Sequence, residues 1–307
     1  RGLRCYVFQV NTLSAFHGLR QTKPLNVPPA PCRHNPVAPP RHSQVMPYLR
    51  ALAFVLAMAF FVMLVAPLQA LARRSNWPLQ HKIQTFFCRT MCRVIGIEVI
   101  PFGGLPAAAP RFVVANHVSW TDIIALSSVY PLVFLAKSEV ADWPVLGFLA
   151  RLQGTIFVDR ANRRAIPTVN AALAGELRAG RDVVVFAEGT SSDGGKVLNF
   201  NAAHFAMLHD LARESAVAVV PAALSYAPRA TGAEKQEAFD VGWYGDMSFL
   251  PHLWGLMRRG GARCRIMFGA PIDPSACPDR KALARETQGS VRRLLEAGSF
   301  ARAGVGL

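Results

Sequence analysis

The longest apolar run in the chain is ALAFVLAMAFFVMLVAPLQALA, from Ala51 to Ala72, bounded by Arg50 on one side and Arg73–Arg74 on the other. At 1.5 Å per residue such a run crosses a hydrocarbon core of about 30 Å, so it predicts a membrane helix over 46–75. Pro67 and Gln69 disturb its last turns, which leaves open a helix lying partly in one leaflet. The run is too long for a cleaved signal peptide. Arg73 and Arg74 place the downstream chain on the cytoplasmic side of a bacterial inner membrane by the positive-inside tendency. In the following stretch, WPLQHKIQTFFCRTMCRVIGIEVI, the residues Ile83, Phe86, Phe87, Met91, Val94 and Ile95 recur at helical spacing, with Lys82, Arg89 and Arg93 between them. A second helix resting on the membrane or on the domain is expected there.

Beyond it, short apolar segments alternate with helical ones. The pattern predicts strands at 97–101, 111–115, 132–136, 155–158, 182–187, 217–224 and 264–268. Helices are predicted near 121–129, 143–152, 164–179, 200–214 and 279–297. Strand–helix alternation implies an α/β fold, a mixed sheet flanked by helices, with the hydrophobic membrane helix at its N-terminal side. Residues 1–45 are different. They are proline-rich, contain several arginines, have no acidic residue and lack apolar periodicity, so disorder is expected. Met46 stands directly before the hydrophobic segment and is the expected natural start, the stretch before it then not being native.

Half of the 307 residues are apolar, enough for a sizeable core, and 34 basic residues against 19 acidic ones give a formal charge of +15. That balance suits an anionic membrane face or a phosphorylated ligand. No basic motif with interleaved aromatics points to nucleic acid. The six cysteines, Cys5, Cys32, Cys88, Cys92, Cys264 and Cys277, are scattered. Cys88 and Cys92 share a helical face, but no second pair or histidine stands at metal-ligand spacing, so reduced packing residues are expected and no metal.

Candidate chemistry concentrates in RFVVANHVSWTDIIAL, residues 111–126. An apolar strand ends at Ala115, Asn116 and His117 occupy the turn, which Asn116 can fix, and Asp122 opens the next helix. Across such a turn the carboxylate can hold one imidazole nitrogen as a donor and leave the other to take a proton from an alcohol. The bland alternative makes Asp122 a helix cap and His117 a satisfied loop residue. Three further segments add candidates. LAKSEVADWPVLGFLARLQGTIFVDR brings Lys137, Glu139, Gly154 and Arg160. VVVFAEGTSSDG ends a buried strand with Glu188, Gly189 and Thr190. VAVVPAAL is an apolar strand broken by Pro221. Glu188 follows five apolar residues, and burying its charge alone is costly, so a cation such as Arg160 or Lys137 is its expected partner. Arg160 and Lys137 also fit a solvated surface, and Gly154 and Gly189 ordinary turns. His204 and His209 read as packing residues of an apolar helix.

Taken in order, these blocks resemble the glycerolipid acyltransferases that include the 1-acyl-glycerol-3-phosphate acyltransferases. NHVSWTD resembles that family's catalytic NHxxxxD block, GTIFVDR its Gly-x-Ile-Phe-Ile-x-Arg block, FAEGTSS its Phe-Pro-Glu-Gly-Thr-Arg-Ser block and VVPAAL its Val-Pro-Val strand. The likeness extends over roughly residues 78–275 and implies a glycerolipid acyltransferase domain over 76–300. It implies His117 as general base and Asp122 as its orienting partner. Asn116, Lys137, Arg160, Glu188, Gly189 and Thr190 are then the candidates for substrate contacts. The implied co-substrates are acyl carrier protein or coenzyme A thioester and a membrane lysolipid, with no other cofactor, no metal and no nucleic acid. The first expectation for the acceptor is 1-acyl-sn-glycerol-3-phosphate, giving phosphatidic acid.

Two departures bear on that acceptor. Ala187 replaces a proline at little consequence, whereas Ser191 replaces the arginine that follows Glu-Gly-Thr, and Asn199 and Asn201 stand where relatives carry proline and lysine. Loss of a bidentate arginine removes a favoured phosphate partner. Arg160, Arg163, Arg164 and Lys196 are candidates to compensate. EGTSSDGGKVL and the later WYGDMSFLPHLW resemble more the subgroup that includes lyso-ornithine lipid acyltransferases, whose acceptor has no phosphate. The aromatic and basic stretch Trp243–Arg259 suits either lipid headgroups or a core helix capped by arginines. A non-catalytic membrane-binding protein on the same scaffold is the rival from another class. A hydrolase would want a nucleophile elbow, and no GxSxG occurs.

Overall fold

The structure, a computed structural model, describes residues 45–107, 110–160, 162–229 and 241–298. The expectations for residues 1–44, Cys5 and Cys32 among them, and for the Arg163 side chain lie outside the described residues.

One helix of 30 residues, Val45–Arg74, leads into the domain. It consists of α1 (Val45–Phe60), a π-helical turn (Phe61–Val65) and α2 (Ala66–Arg74). The wide turn lies where Pro67 has no N–H to give the preceding turn, and Ala66 N–H reaches back five residues to Phe61 O. The helix is long and apolar enough to cross a membrane. Its inner face is nonetheless docked on the domain along its length. Near its start the Arg50 guanidinium donates to Met257 O at 3.3 Å and Gly260 O at 3.2 Å. In the middle, the buried Phe61 ring meets Phe87 edge-on at 4.9 Å. At its end the Arg73 guanidinium lies against Gly154, where a side chain would have to displace it. The outer face keeps Met63 and Leu64 73% and 67% exposed.

The remaining elements are α3 (Leu79–Ile95), β1 (Ile97–Phe102), β2 (Arg111–Ala115), α4 (Thr121–Val129), β3 (Leu132–Lys137), α5 (Leu146–Leu152), β4 (Ile156–Val158), α6 (Ile166–Arg178), β5 (Asp182–Phe186), α7 (Ala206–Glu214), β6 (Ala218–Pro228), α8 (Phe249–Arg258), β7 (Ala262–Phe268) and α9 (Arg280–Gly298). The seven strands form a sheet in the order β1-β7-β6-β2-β5-β3-β4. Every pair is parallel except β6–β7. Covered on both faces, the central strands carry unbroken apolar runs. Val113, Ala115, Val184, Phe186, Ala222 and Leu224 belong to the core that includes residues of α3, α4 and α8, while Phe112, Val114, Val183, Val185 and Val219 face α6, α7 and α9. This is the predicted mixed α/β fold.

Three differences from the sequence reading have physical causes. First, β6 is not broken at Pro221 but runs to Pro228, changing partner as it goes. Ala218–Ala222 pair with β2 and Ala222–Pro228 with β7, so the missing N–H of Pro221 falls before the β7 ladder begins. Second, the helices predicted at 143–152 and 200–214 are shortened to α5 and α7, and 3-10 turns at Ser138–Asp142 and Ala202–Phe205 come before them. Third, the Trp243–Arg259 stretch folds its second half into α8, which buries Leu253, Leu256 and Met257 yet leaves Leu250 72% exposed. Cys88 and Cys92 are buried free thiols, and burial pushes that of Cys92 up to about 12, as suits packing residues.

Strand registration positions the candidate site. At their N-terminal ends β2 and β5 are clamped by Arg111, whose Nε donates to Asp182 Oδ1 at 2.7 Å and whose Nη2 pairs with Oδ2. At their C-terminal ends Ala115 pairs with Phe186. Two residues further on, His117 and Glu188 leave the sheet side by side, in the position where open parallel sheets bind ligands.

Candidate active site

Asp122 sits in the first turn of α4, fully buried, yet its carboxylate does not cap that helix in the usual sense. A cap accepts from residues that follow it; Asp122 accepts from residues that precede it. Its Oδ2 takes Val118 N–H at 2.7 Å and Ser119 N–H at 3.0 Å, and stands 2.8 Å from His117 Nδ1. Its Oδ1 accepts the Tyr226 hydroxyl at 2.6 Å. Four hydrogen bonds offset the cost of burying this charge. Because the carboxylate only accepts, His117 carries its proton on Nδ1 and leaves Nε2 bare.

The histidine itself is held from every side. Its backbone N–H donates to Glu188 Oε2 at 2.9 Å, its carbonyl accepts Ser192 N–H at 2.9 Å, and its ring stacks on Phe186 with centroids 4.0 Å apart. The side chain is 14% exposed, and Nε2 has no partner among the described residues. Burial and the neighbouring Asp122 push the Tyr226 hydroxyl well above the usual tyrosine range, so it remains a proton donor to the carboxylate. A bare, oriented imidazole nitrogen at the C-terminal edge of the sheet can take a proton from an alcohol.

A family model described as "Acyltransferase" matches residues 92–225. The lyso-ornithine lipid O-acyltransferase of Brucella abortus is 39% identical, over 83% of this chain and 97% of its own length. The 1-acyl-sn-glycerol-3-phosphate acyltransferase of Neisseria meningitidis is 36% identical, over 66% of this chain and 75% of its own. This chain belongs to the acyltransferase family. Its fold is that of the 1-acyl-sn-glycerophosphate acyltransferase PlsC from Thermotoga maritima, which superimposes with a TM-score of 0.56 at 21% identity, covering 82% of this chain and 97% of that one.

In this acyltransferase the other expected site residues have different surroundings. Glu188 joins the site, but its partners are not cations: Oε2 holds His117 N–H and Oε1 holds Leu198 N–H at 2.8 Å. Burial raises its carboxyl above the usual glutamate range, and the two amides pull it partly back. Arg160 reaches the same loop by a different atom, donating Nη1–H to the Gly189 carbonyl. Gly189 adopts φ +71°, a conformation that favours glycine, and Thr190 beside it is exposed. Lys137, at the end of β3, forms an exposed ion pair with Glu139 at 2.5 Å instead of meeting Glu188.

Asn116 has the turn-fixing part of its two expected roles. Expected among substrate contacts, it is 2% exposed and both ends of its amide are spent on one residue of β6. Nδ2 donates to Leu224 O at 3.0 Å and Leu224 N–H donates to Oδ1 at 2.8 Å. It braces the turn against the sheet. Of the candidates to replace the absent arginine at 191, Arg164 and Lys196 are exposed, and Ser191 directs its hydroxyl to the Trp243 carbonyl. Tyr226 and Phe186 escaped the sequence reading. Tyr226 lies two residues beyond Leu224 on the same strand face, a signal that needs the strand pairing to become visible.

Proposed function

We propose that this acyltransferase moves an acyl group from a thioester to the hydroxyl of lyso-ornithine lipid at a membrane surface, with His117 as general base and Asp122 as its orienting partner. The observation that carries the mechanism is the 2.8 Å contact between His117 Nδ1 and a carboxylate that three further donors hold in place. The acceptor hydroxyl gives its proton to Nε2 as its oxygen attacks the thioester carbonyl, while Nδ1–H stays on Asp122. The imidazolium so formed faces the buried carboxylate. Collapse of the tetrahedral intermediate breaks the carbon–sulfur bond, and the thiolate leaves with the proton that His117 returns. One ester and one thiol are the products. The donor is the thioester of acyl carrier protein or coenzyme A.

Two observations support an ornithine-type acceptor over lysophosphatidate, the first expectation. Ser191 supplies no cation where a phosphate partner is expected. The relative matched over 97% of its length carries the lyso-ornithine name. Attachment to the bilayer is through the exposed apolar face of the Val45–Arg74 helix, with the domain on the cytoplasmic side. The decisive test offers detergent-solubilised protein equal amounts of lyso-ornithine lipid and lysophosphatidate with labelled acyl donors. Ornithine lipid is the expected main product. Phosphatidate as main product restores the other acceptor, and no product with either supports a non-catalytic binding protein.

A further inference from the structure

His204 is expected from sequence to be a structural residue, and its ring is held by one nitrogen, Nδ1, among the described residues. It lies on the 3-10 turn Ala202–Phe205, next to Asn201, whose N–H donates to Ala187 O at 2.8 Å and so ties this turn to the Glu188 loop. Asn170 of α6 donates its Nδ2–H to Ala203 O at 3.0 Å, which fixes the direction of that amide. Its Oδ1 therefore faces His204 Nδ1, at 2.9 Å, and an amide oxygen only accepts. His204 must carry its proton on Nδ1. Nε2 is left as a bare acceptor with no partner among the described residues. His209, five residues on, contrasts with it: there Nε2 meets the Cys277 carbonyl at 3.1 Å and is satisfied.

Arg160 is a charged group that acts on His204. Burial first, and Arg160 second, hold this imidazole below the usual histidine range, so it is neutral where an ordinary histidine begins to charge. Arg160 spends one N–H on Gly189 O and, among the described residues, has no carboxylate within ion-pair distance. Beside the Glu188 loop the chain thus offers guanidinium donors on Arg160 and a neutral nitrogen lone pair on His204. A phosphate dianion, made of acceptor oxygens, suits the first and is repelled by the second. A zwitterion with a carboxylate and an ammonium suits both.

We propose that His204 reads the acceptor's headgroup, its Nε2 accepting a hydrogen bond from the ammonium of an amino-acid headgroup whose carboxylate sits on Arg160. This rests on the lyso-ornithine reading and adds the residue that selects it. The test compares wild type with His204→Leu, which removes the acceptor, and His204→Gln, whose side-chain oxygen replaces Nε2. Steady-state kinetics are measured on lyso-ornithine lipid and on lysophosphatidate. A hydrogen bond to a charged group predicts a fall in kcat/KM of about ten- to a hundredfold for lyso-ornithine lipid in H204L, carried by KM. Lysophosphatidate transfer is expected unchanged or improved, and H204Q within a few fold of wild type. An H204L that lowers both acceptors alike, or neither, overturns the assignment of His204 while leaving the function intact. A wild type that does not acylate lyso-ornithine lipid overturns the function, and this inference with it.

Discussion

Asp122→Asn isolates the electrostatic part of the proposed mechanism because the buried site can accept the substitution. An asparagine oxygen in the place of Oδ2 still receives Val118 N–H, Ser119 N–H and His117 Nδ1–H, now held at 2.7, 3.0 and 2.8 Å. Its amide nitrogen then faces the Tyr226 oxygen, which already accepts the Thr121 hydroxyl at 3.0 Å and has a second lone pair. The charge is lost, and with it the acceptor that Oδ1 gives the Tyr226 O–H, whose proton must turn to the Thr121 hydroxyl. Taking the imidazolium and carboxylate charges as about 4 Å apart in an effective dielectric of about 20, their attraction is about 4 kcal/mol. At 1.36 kcal/mol per decade that is about a thousandfold in rate. The substitution should therefore lower kcat by two to four decades (an order-of-magnitude range) with acceptor KM little changed. Thiol release from the acyl donor at saturating acceptor measures it, and a thermal unfolding midpoint near that of wild type shows that the site is still built. A kcat within tenfold of wild type refutes the reasoning. Alanine is the wrong probe: it orphans two buried amides and a hydroxyl, at about 1–3 kcal/mol each, and confounds folding with chemistry.

Tyr226→Phe removes the donor on Asp122 Oδ1 and is expected to lower the unfolding midpoint and reduce turnover about tenfold, at the scale of a hydrogen bond to a charge; unchanged values in both measurements count against its bracing role. Glu188→Gln can accept only one of the two amides that Glu188 holds, so reduced turnover is expected from a loosened His117 turn. Because burial raises this carboxyl above its unfolded value, its contribution to wild-type stability is present below the ordinary glutamate range and falls as pH rises through the raised value. Unfolding measured in detergent across that range should show the fall in wild type and lack it in the variant; parallel curves sink the assignment. Met63→Glu with Leu64→Glu puts two charges on the outer face of the long helix and should shift the protein from the membrane to the soluble fraction on centrifugation, with transfer to detergent-dispersed acceptor retained; an unchanged distribution shows that other surfaces suffice.

The central strands were legible because both of their faces are covered, which writes an apolar run into residues 111–115 and 182–186. Their neighbours were not, since the pairing of β2 with β6 joins segments about a hundred residues apart through crossovers that leave no local trace. Arg50 shows the same limit at a smaller scale. As a flanking charge it marks the edge of an apolar run. In the structure it lies inside the helix and reaches carbonyls 207 and 210 residues away at the end of α8. His117 and Asp122 could be found because five positions span a single turn between strand and helix. For Glu188 the premise, that a buried carboxylate needs partners, was sound. The inference to a cation failed because backbone amides serve as well, and nothing in a sequence shows which amides converge.

The His117–Asp122 turn is built by registration across three parallel strands, and this explains why Asn116 is needed there, buried and bonded at both ends of its amide. Arg111 and Asp182 fix β2 against β5, which brings His117 beside Glu188. Asn116 fixes β2 against β6 by gripping Leu224 on both its amide and its carbonyl. Side chains alternate along a strand, so Leu224 and Tyr226 point to the same face, and the grip that places one places the other under Asp122. A slip of β6 by one residue turns residue 226 to the opposite face and takes its hydroxyl from the carboxylate. The same slip leaves the Asn116 amide without partners. The two losses come together, so the sheet cannot drift to a register that keeps its core and quietly disarms the histidine.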